Sequence, residues 1–203
     1  AKNWTVNQDY VDRDQRVTSP GEWSKLHAGD MKFVDLNGDK VINDGKNTLA
    51  EHGDLRKIGN SLPRYSFGIT AGFNWNNFDL SAFFQGIGKQ NWYPDVEAAK
   101  FWGVYGRPYT SFLPKDFVSK VWSPENPNAY FPLLRGYAAY PGGELAVKND
   151  KYLQDLAYVR LKNLTVGYNL PASLVKRWKI QRLRVYFTGQ NLFTLTKMDN
   201  KYI

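Results

Sequence analysis

The stretch Tyr65–Gln85, YSFGITAGFNWNNFDLSAFFQ, decides the fold. Tyr65, Phe67, Ile69, Ala71, Phe73 and Trp75 share one parity, and Ser66, Gly68, Thr70, Gly72 and Asn74 share the other. Strand side chains alternate between faces, so these residues predict a strand with one apolar face and one small or polar face. Asn76-Asn77 follows, a pair that tolerates the positive φ angles of a tight hairpin turn. The chain then returns with Phe78, Leu80, Ala82 and Phe84 on one side and Asp79, Ser81 and Gln85 on the other. Two architectures use such a hairpin. It lies on a sandwich core with its polar face in water, or it forms two staves of a membrane barrel, apolar toward lipid and polar toward the lumen.

Farther along, YVRLKNLTVGYNLP (Tyr158–Pro171) sets Leu164, Val166, Tyr168 and Leu170 against Thr165, Gly167 and Asn169. The same parity carried backward puts Arg160 and Lys162 on the apolar side, as at a strand end rising into lipid headgroups. Residues 172–181, ASLVKRWKIQ, read as a short amphipathic turn or helix. LRVYFTGQNLF (Leu183–Phe193) then places Leu183, Val185 and Phe187 against Arg184, Tyr186, Thr188 and Gln190. Between the two hairpins runs Lys89–Ala157, 69 residues rich in aromatic side chains and proline, with a short helix expected over Lys115–Val121. Connections so long are generally functional. Short and long connections alternate, as in outer-membrane barrels, whose long loops are extracellular and whose short turns are periplasmic.

Composition narrows the function classes. The chain has 203 residues, and 16 % of them are aromatic, including seven Trp and thirteen Tyr. Tyr and Trp carry a flat apolar body and a polar handle, which suits membrane interfaces and sugar stacking. No cysteine is present, which excludes disulfides, thiol catalysis and cysteine-ligated zinc. The net charge of +8 is scattered rather than gathered in one basic run, so no nucleic-acid partner is expected. No apolar run reaches the roughly 20 residues of a spanning helix. An enzyme is not indicated: His27 and His52 are isolated, and the carboxylates show no acid–base pairing.

One segment has metal-ligand spacing. In GDMKFVDLNGDKVIND (Gly29–Asp44), Asp35, Asn37 and Asp39 supply side-chain oxygens at alternate positions, followed by the Val41 carbonyl, apolar Ile42 and Asn43. That is the order of an EF-hand-type calcium loop. It departs from the pattern where Lys40 replaces the turn glycine and Lys46 the distal carboxylate, so Asp44 or Asp54 would have to close the site. An Asx-rich turn without metal fits the same residues.

With these pieces together, the chain resembles the C-terminal part of the SusC/RagA-type TonB-dependent transporters of the Bacteroidetes outer membrane. The resemblance is carried by GDMKFVDLNGDKVIND, IGNSLPRYSFGITAGFNWNNFDLSAFFQGIG, VWSPENPNAYFPLL, LQDLAYVRLKNLTVGYNLP and LRVYFTGQNLFTLTK, in that order. It implies an all-β fold: an antiparallel transmembrane segment of a 22-stranded barrel with long extracellular loops. On that plan, 1–64 is an extracellular loop region with the calcium-type loop at 35–54, and 65–88 is a barrel hairpin. Residues 89–157 are a long extracellular loop, and 158–203 are a second hairpin and the start of the next loop. The plug, the TonB box and the closing strands are expected to lie outside these residues.

The resemblance further implies import of oligosaccharides or peptides, with a SusD-type surface lipoprotein as lid and the TonB complex as energy source through the plug. The Asp-Arg-Xaa-Xaa-Ile-Gly tail that follows the family's loop has an approximate counterpart in Asp54, Arg56, Ile58 and Gly59, which favours Asp54 as the distal calcium ligand. Trp92, Tyr93, Trp102 and Tyr105 are the expected chamber or lid contacts, unless they pack the loop's own core. The competing reading from the residues alone is a soluble, calcium-stabilised β-sandwich that binds carbohydrate.

Overall fold

The long strands form where the two-residue alternation is unbroken and β-branched or aromatic side chains dominate. A computed structural model describes residues 2–3, 28–39, 41–109, 111 and 113–198. Lys40, His27 and most of the irregular stretch expected at 1–32 lie outside these residues. The strands are β1 (Lys2–Asn3), β2 (Met31–Lys32), β3 (Ser66–Trp75), β4 (Phe78–Ile87), β5 (Asn91–Trp92), β6 (Gln154–Asp155), β7 (Tyr158–Asn169) and β8 (Arg184–Thr196). There are two compact units. A sheet unit takes 60–92 and 155–198, and a loop unit takes the described residues of 1–59 and 93–154.

In the sheet unit, β3, β4, β7 and β8 form one antiparallel sheet in the order β3-β4-β7-β8. Asn76 and Asn77 have φ of 42° and 74°, so both central residues of the β3–β4 turn adopt the positive φ of a primed hairpin. The register aligns one row after another: Trp75, Phe78, Tyr168 and Val185; then Phe73, Leu80, Val166 and Phe187; then Ala71, Ala82, Leu164 and Gly189.

Beyond that third row a β-bulge intervenes. Asn163 pairs with Phe83 and Gln190, and Leu161 pairs with Phe84 and Phe193, so Lys162 is skipped in both registers. One unpaired residue reverses the parity of everything before it. Leu161 and Val159 therefore stay on the apolar face, opposite Phe84 and Gly86, while Arg160 joins Gln85 and Thr194 on the polar face. This corrects the expectation that Arg160 and Lys162 share the apolar side, because a constant two-residue period cannot anticipate an inserted residue. On β8 the matching irregularity falls at Asn191 (φ 51°), and Leu192 covers the space where a Gly189 side chain would stand.

The loop unit has a core of its own. Phe101, Trp102, Tyr105, Phe117, Phe131, Leu145 and Tyr152 are all at most 1 % exposed, joined by Met31 from β2. Phe131 stacks on Phe117 at 5.3 Å and packs beside Tyr105 at 5.7 Å and Tyr152 at 6.0 Å. A parallel bridge, Val121 with Phe131, ties down this segment. Helix is scarce: α1 (Ala99–Trp102) buries Phe101 and Trp102, and the helix expected over 115–121 is a single 3₁₀ turn, Val118–Lys120. Gly29, at φ 91°, lies directly against the Trp122 ring, where no side chain would fit. Beside it the Asp30 carboxylate and the Arg135 guanidinium form a buried two-point ion pair with side chains only 5 % and 4 % exposed.

Candidate functional site

The two faces of the sheet differ in chemistry, although Phe83 and Ile87 stand on the otherwise polar one. One carries Phe67, Ile69, Phe73, Trp75, Phe78, Leu80, Phe84, Leu164, Val166, Phe187 and Leu195, with Ala71, Ala82 and Gly189 between them. No protein layer covers that face among the described residues: Phe67, Ile69 and Phe73 are 36, 56 and 61 % exposed, and Phe187 is 66 % exposed. A water-soluble sheet would hide such a face.

The opposite face is a polar ladder. Arg184 on β8 reaches across β7 to Asp79 on β4, with Nε 3.0 Å from Oδ1 and a terminal nitrogen 2.5 Å from Oδ2. The reach crosses Gly167, whose missing side chain leaves the room; a Cβ there would lie 2.6 Å from both Asp79 oxygens. Arg184 also lies 5.1 Å over the Tyr186 ring. Thr165 and Thr188 share a 3.1 Å hydrogen bond, and Arg160 donates to Thr194 at 2.9 Å. Ser81 and Gln85 stand on this face and are exposed, while Asp79 is half-buried by its ion pair. The bidentate pair and its glycine escaped sequence reasoning. The signal was there, since Asp79, Gly167 and Arg184 all fall on polar parities, but the register that joins three strands was not legible.

In the loop unit the calcium-type segment closes on itself through backbone amides. Asp54 accepts from Leu36 N (2.7 Å) and Asn43 N (2.8 Å), one bond to each carboxylate oxygen, while its own amide donates to the Asn43 carbonyl (2.9 Å). Asp35 accepts from Gly38 N at 2.6 Å, Asn37 from Asp39 N at 3.0 Å, and Asp39 from Val41 N at 2.8 Å. Asn43 accepts from Gly45 N at 2.6 Å. Asp54 is thereby placed at the distal end of the loop. Among the described residues no three His, Cys, Asp or Glu side chains converge as a metal cage. Calcium also takes amide and carbonyl oxygens, which here come from Asn37, Asn43 and Val41. Next to Asp54 lies a cavity of about 160 Å³, floored by Phe33, Leu36, Ile42 and Ile58 and rimmed by the Arg56–Asp150 ion pair at 2.6 Å.

The four aromatic residues expected at a ligand chamber fall into two pairs. Trp92 and Tyr93 are half-buried. The Tyr93 hydroxyl lies 2.7 Å from the Leu145 carbonyl and accepts from the Asn149 amide at 2.8 Å, and burial pushes its pKa above the usual phenol value. Trp102 and Tyr105 are 0 % exposed. Trp102 Nε1 donates to the Pro94 carbonyl (3.0 Å) and the Tyr105 hydroxyl to that of Pro132 (2.6 Å), so ring and polar handle alike are used inside the unit. In this conformation those two rings are core, not lining. The density of rings between 89 and 157 is what builds that core.

No protein-family model matches the chain. TonB-dependent receptor P3 of Formosa agariphila is 32 % identical over 170 residues, 83 % of this chain and 15 % of the receptor. TonB-dependent receptor P26 of the same organism is 28 % identical over 165 residues, 81 % of this chain and 15 % of that receptor. A solved structure, that of the RagAB peptide transporter, matches with a TM-score of 0.53 at 23 % identity, covering 71 % of this chain and 15 % of its own. The chain belongs to the TonB-dependent receptors. It spans about 15 % of the length of the relatives it matches. Membership of the TonB-dependent receptors accounts for a mostly stranded, all-β chain, and the relatives carry receptor and transporter names rather than those of enzymes.

Proposed function

We propose that the four-stranded sheet forms staves of a 22-stranded outer-membrane barrel, in a TonB-dependent importer of oligosaccharides or peptides too large for porins. The observation that carries this reading is the bare apolar face backed by a polar ladder. Lipid removes the apolar side chains from water, and an aqueous lumen solvates Asp79, Arg184, Arg160 and the threonines. A soluble calcium-stabilised sandwich would need a second layer over Phe67, Ile69 and Phe73, and those side chains are open. In the importer, 28–59 and 93–154 belong to extracellular loops. A SusD-type lipoprotein closes over the loops, and the TonB complex acts through a plug outside these residues.

Of the four aromatic residues, Trp92 and Tyr93 are half-buried and are the proposed ligand contacts, with Trp102 packed beside Tyr93 at 6.2 Å. The Asp35–Asp54 loop is proposed to take calcium on the oxygens of Asp35, Asn37, Asp39, Val41, Asn43 and Asp54. There the ion would stiffen the loop without any catalytic part. These 203 residues contain no cysteine to be removed before labelling. Single cysteines at 69, 72, 73 and 74, spin-labelled in the full-length protein in bilayers, should alternate: lipid-soluble oxygen reaches 69 and 73, and a water-soluble nickel chelate reaches 72 and 74. Equal accessibility at the two parities would overturn the barrel. For cargo, isothermal titration of the full-length transporter with oligosaccharide and with peptide pools separates the two classes.

A further inference from the structure

The connection from β7 to β8, residues 170–183, reads LPASLVKRWKIQRL and contains no aspartate or glutamate. Its helix α2 (Ala172–Val175) runs into a 3₁₀ turn, Lys176–Trp178, and Lys179 in the left-handed region (φ 57°) turns the chain back, with Ile180 N bonded to the Val175 carbonyl at 3.2 Å. Val175, 1 % exposed, is the inward anchor. Leu174, Trp178 and Ile180 remain 47, 58 and 39 % exposed. Arg182 is engaged by the Asn169 amide oxygen at 3.1 Å. Lys176, Arg177 and Lys179 have no ion-pair partner among the described residues.

This cationic and apolar turn stands at a defined end of the sheet. The row Trp75, Phe78, Tyr168 and Val185 is the last to run across all four strands before the 76–77 turn, and one further pair, Asn169 with Arg184, separates it from the 170–183 connection. In that row, Trp75 is 66 % and Phe78 49 % exposed on the bare apolar face. Tryptophan and tyrosine concentrate where hydrocarbon meets headgroups, and lysine or arginine beside that layer is drawn to anionic lipid. We propose that residues 174–180 dock anionic phospholipid headgroups at the rim of the bilayer, Lys176, Arg177 and Lys179 meeting the phosphates while Trp178 sits in the interfacial layer. The proposal rests on the membrane reading above and adds a lipid class to it.

The test uses the full-length protein in nanodiscs of phosphatidylcholine containing phosphatidylglycerol, with bromine carried on the acyl chains of one lipid or the other. Difference spectra against Trp178→Phe and Trp75→Phe isolate the two emissions. Trp75 should be quenched by either brominated lipid. Trp178 should be quenched preferentially by brominated phosphatidylglycerol, and K176Q/R177Q/K179Q should bring its quenching by the two brominated lipids to parity, with Trp75 quenching unchanged as the sign that the variant is inserted. Quenching of Trp178 that does not distinguish the lipids, or that keeps its preference in the triple variant, overturns the lipid site while leaving the barrel standing. No quenching of Trp75 overturns the barrel itself, and the lipid site with it.

Discussion

Replacing Phe131 by alanine removes the ring at the centre of the loop unit. Phe131 is fully buried and has six aromatic neighbours, Phe101, Trp102, Tyr105, Phe117, Tyr130 and Tyr152, at centroid distances of 4.9 to 6.4 Å. A buried Phe→Ala change costs about 3–5 kcal/mol in lost transfer and cavity energy. Ring pairs each add about 0.5–1.5 kcal/mol beyond area burial, so the upper end of that range applies. The backbone is spared: the Phe131 amide to the Lys120 carbonyl (2.8 Å) and the Trp122 amide to the Phe131 carbonyl (3.0 Å) survive in alanine. The loss is therefore one of packing. Hydrogen exchange of the full-length protein is the assay. Amides at 101, 102, 117 and 152 should exchange faster by a factor corresponding to about 4 kcal/mol, while amides of β3, β4 and β7 keep their protection. A loss under about 1 kcal/mol, at the level of a peripheral substitution, would refute the central place given to this ring. Loss of strand protection to the same degree would refute the separate stability of the two units.

Other outcomes follow from particular contacts. Arg135→Met takes the guanidinium out of a buried ion pair with Asp30 and should cost about 3–5 kcal/mol by chemical denaturation, whereas D30L/R135M should cost clearly less. Gly167→Val puts side-chain atoms where Arg184 and Asp79 meet; the ion pair should part, leaving Arg184 newly reactive toward phenylglyoxal. Burial raises the Glu144 carboxyl above its usual value, Arg135 lowering it and Asp30 raising it in smaller part. The folded unit thus holds a proton that the unfolded chain releases, so stability is fullest below the ordinary glutamate value and declines as pH rises through the raised one; Glu144→Gln should flatten that slope in a pH series of denaturation midpoints. Stripping calcium with EDTA should speed amide exchange across 35–54 and restoring the ion should reverse it; indifference to both would mean that the Asp54 amide bonds hold the loop without metal.

How much of this could be read from residues depended on range. The β3–β4 hairpin was legible in full, because alternation and an Asn-Asn turn are local properties that tertiary context had no reason to override. The start of β8 was less so: Leu183 was expected inside a strand that begins at Arg184 and runs on to Thr196. The loop unit was hidden, since its core gathers Met31, Phe101, Phe131 and Tyr152 from distant segments, and no period marks residues that meet only in three dimensions. For the same reason Trp102 and Tyr105, attractive as exposed rings on a loop, turn out to be enclosed. The calcium-type loop shows its alternating side-chain oxygens in sequence, yet only the fold shows Asp54 brought back to Leu36 and Asn43.

The bulge at Lys162 gives the strongest physical reason to read the sheet as two-faced by selection of side chains and not by chance. A strict alternation through β7 would set Arg160 among Leu161's apolar neighbours and drop Leu161 and Val159 onto the polar face. The skipped residue moves all three at once. Arg160 then reaches Thr194, and Leu161 becomes only 6 % exposed between Phe84 and Phe193. Deleting Lys162 tests this without changing composition elsewhere: it takes out the skipped residue and leaves Asn163 and Leu161 consecutive opposite the consecutive Phe83 and Phe84, so Arg160 should stay on the polar face. Measured as the denaturant midpoint of the full-length protein folded into lipid vesicles, the deletion should keep the protein folded and fall short of the roughly 2–4 kcal/mol that a cation near the bilayer midplane costs. A loss of that size would show that the pairs slip and Arg160 enters the hydrocarbon, and would refute the reading of Lys162 as the inserted residue.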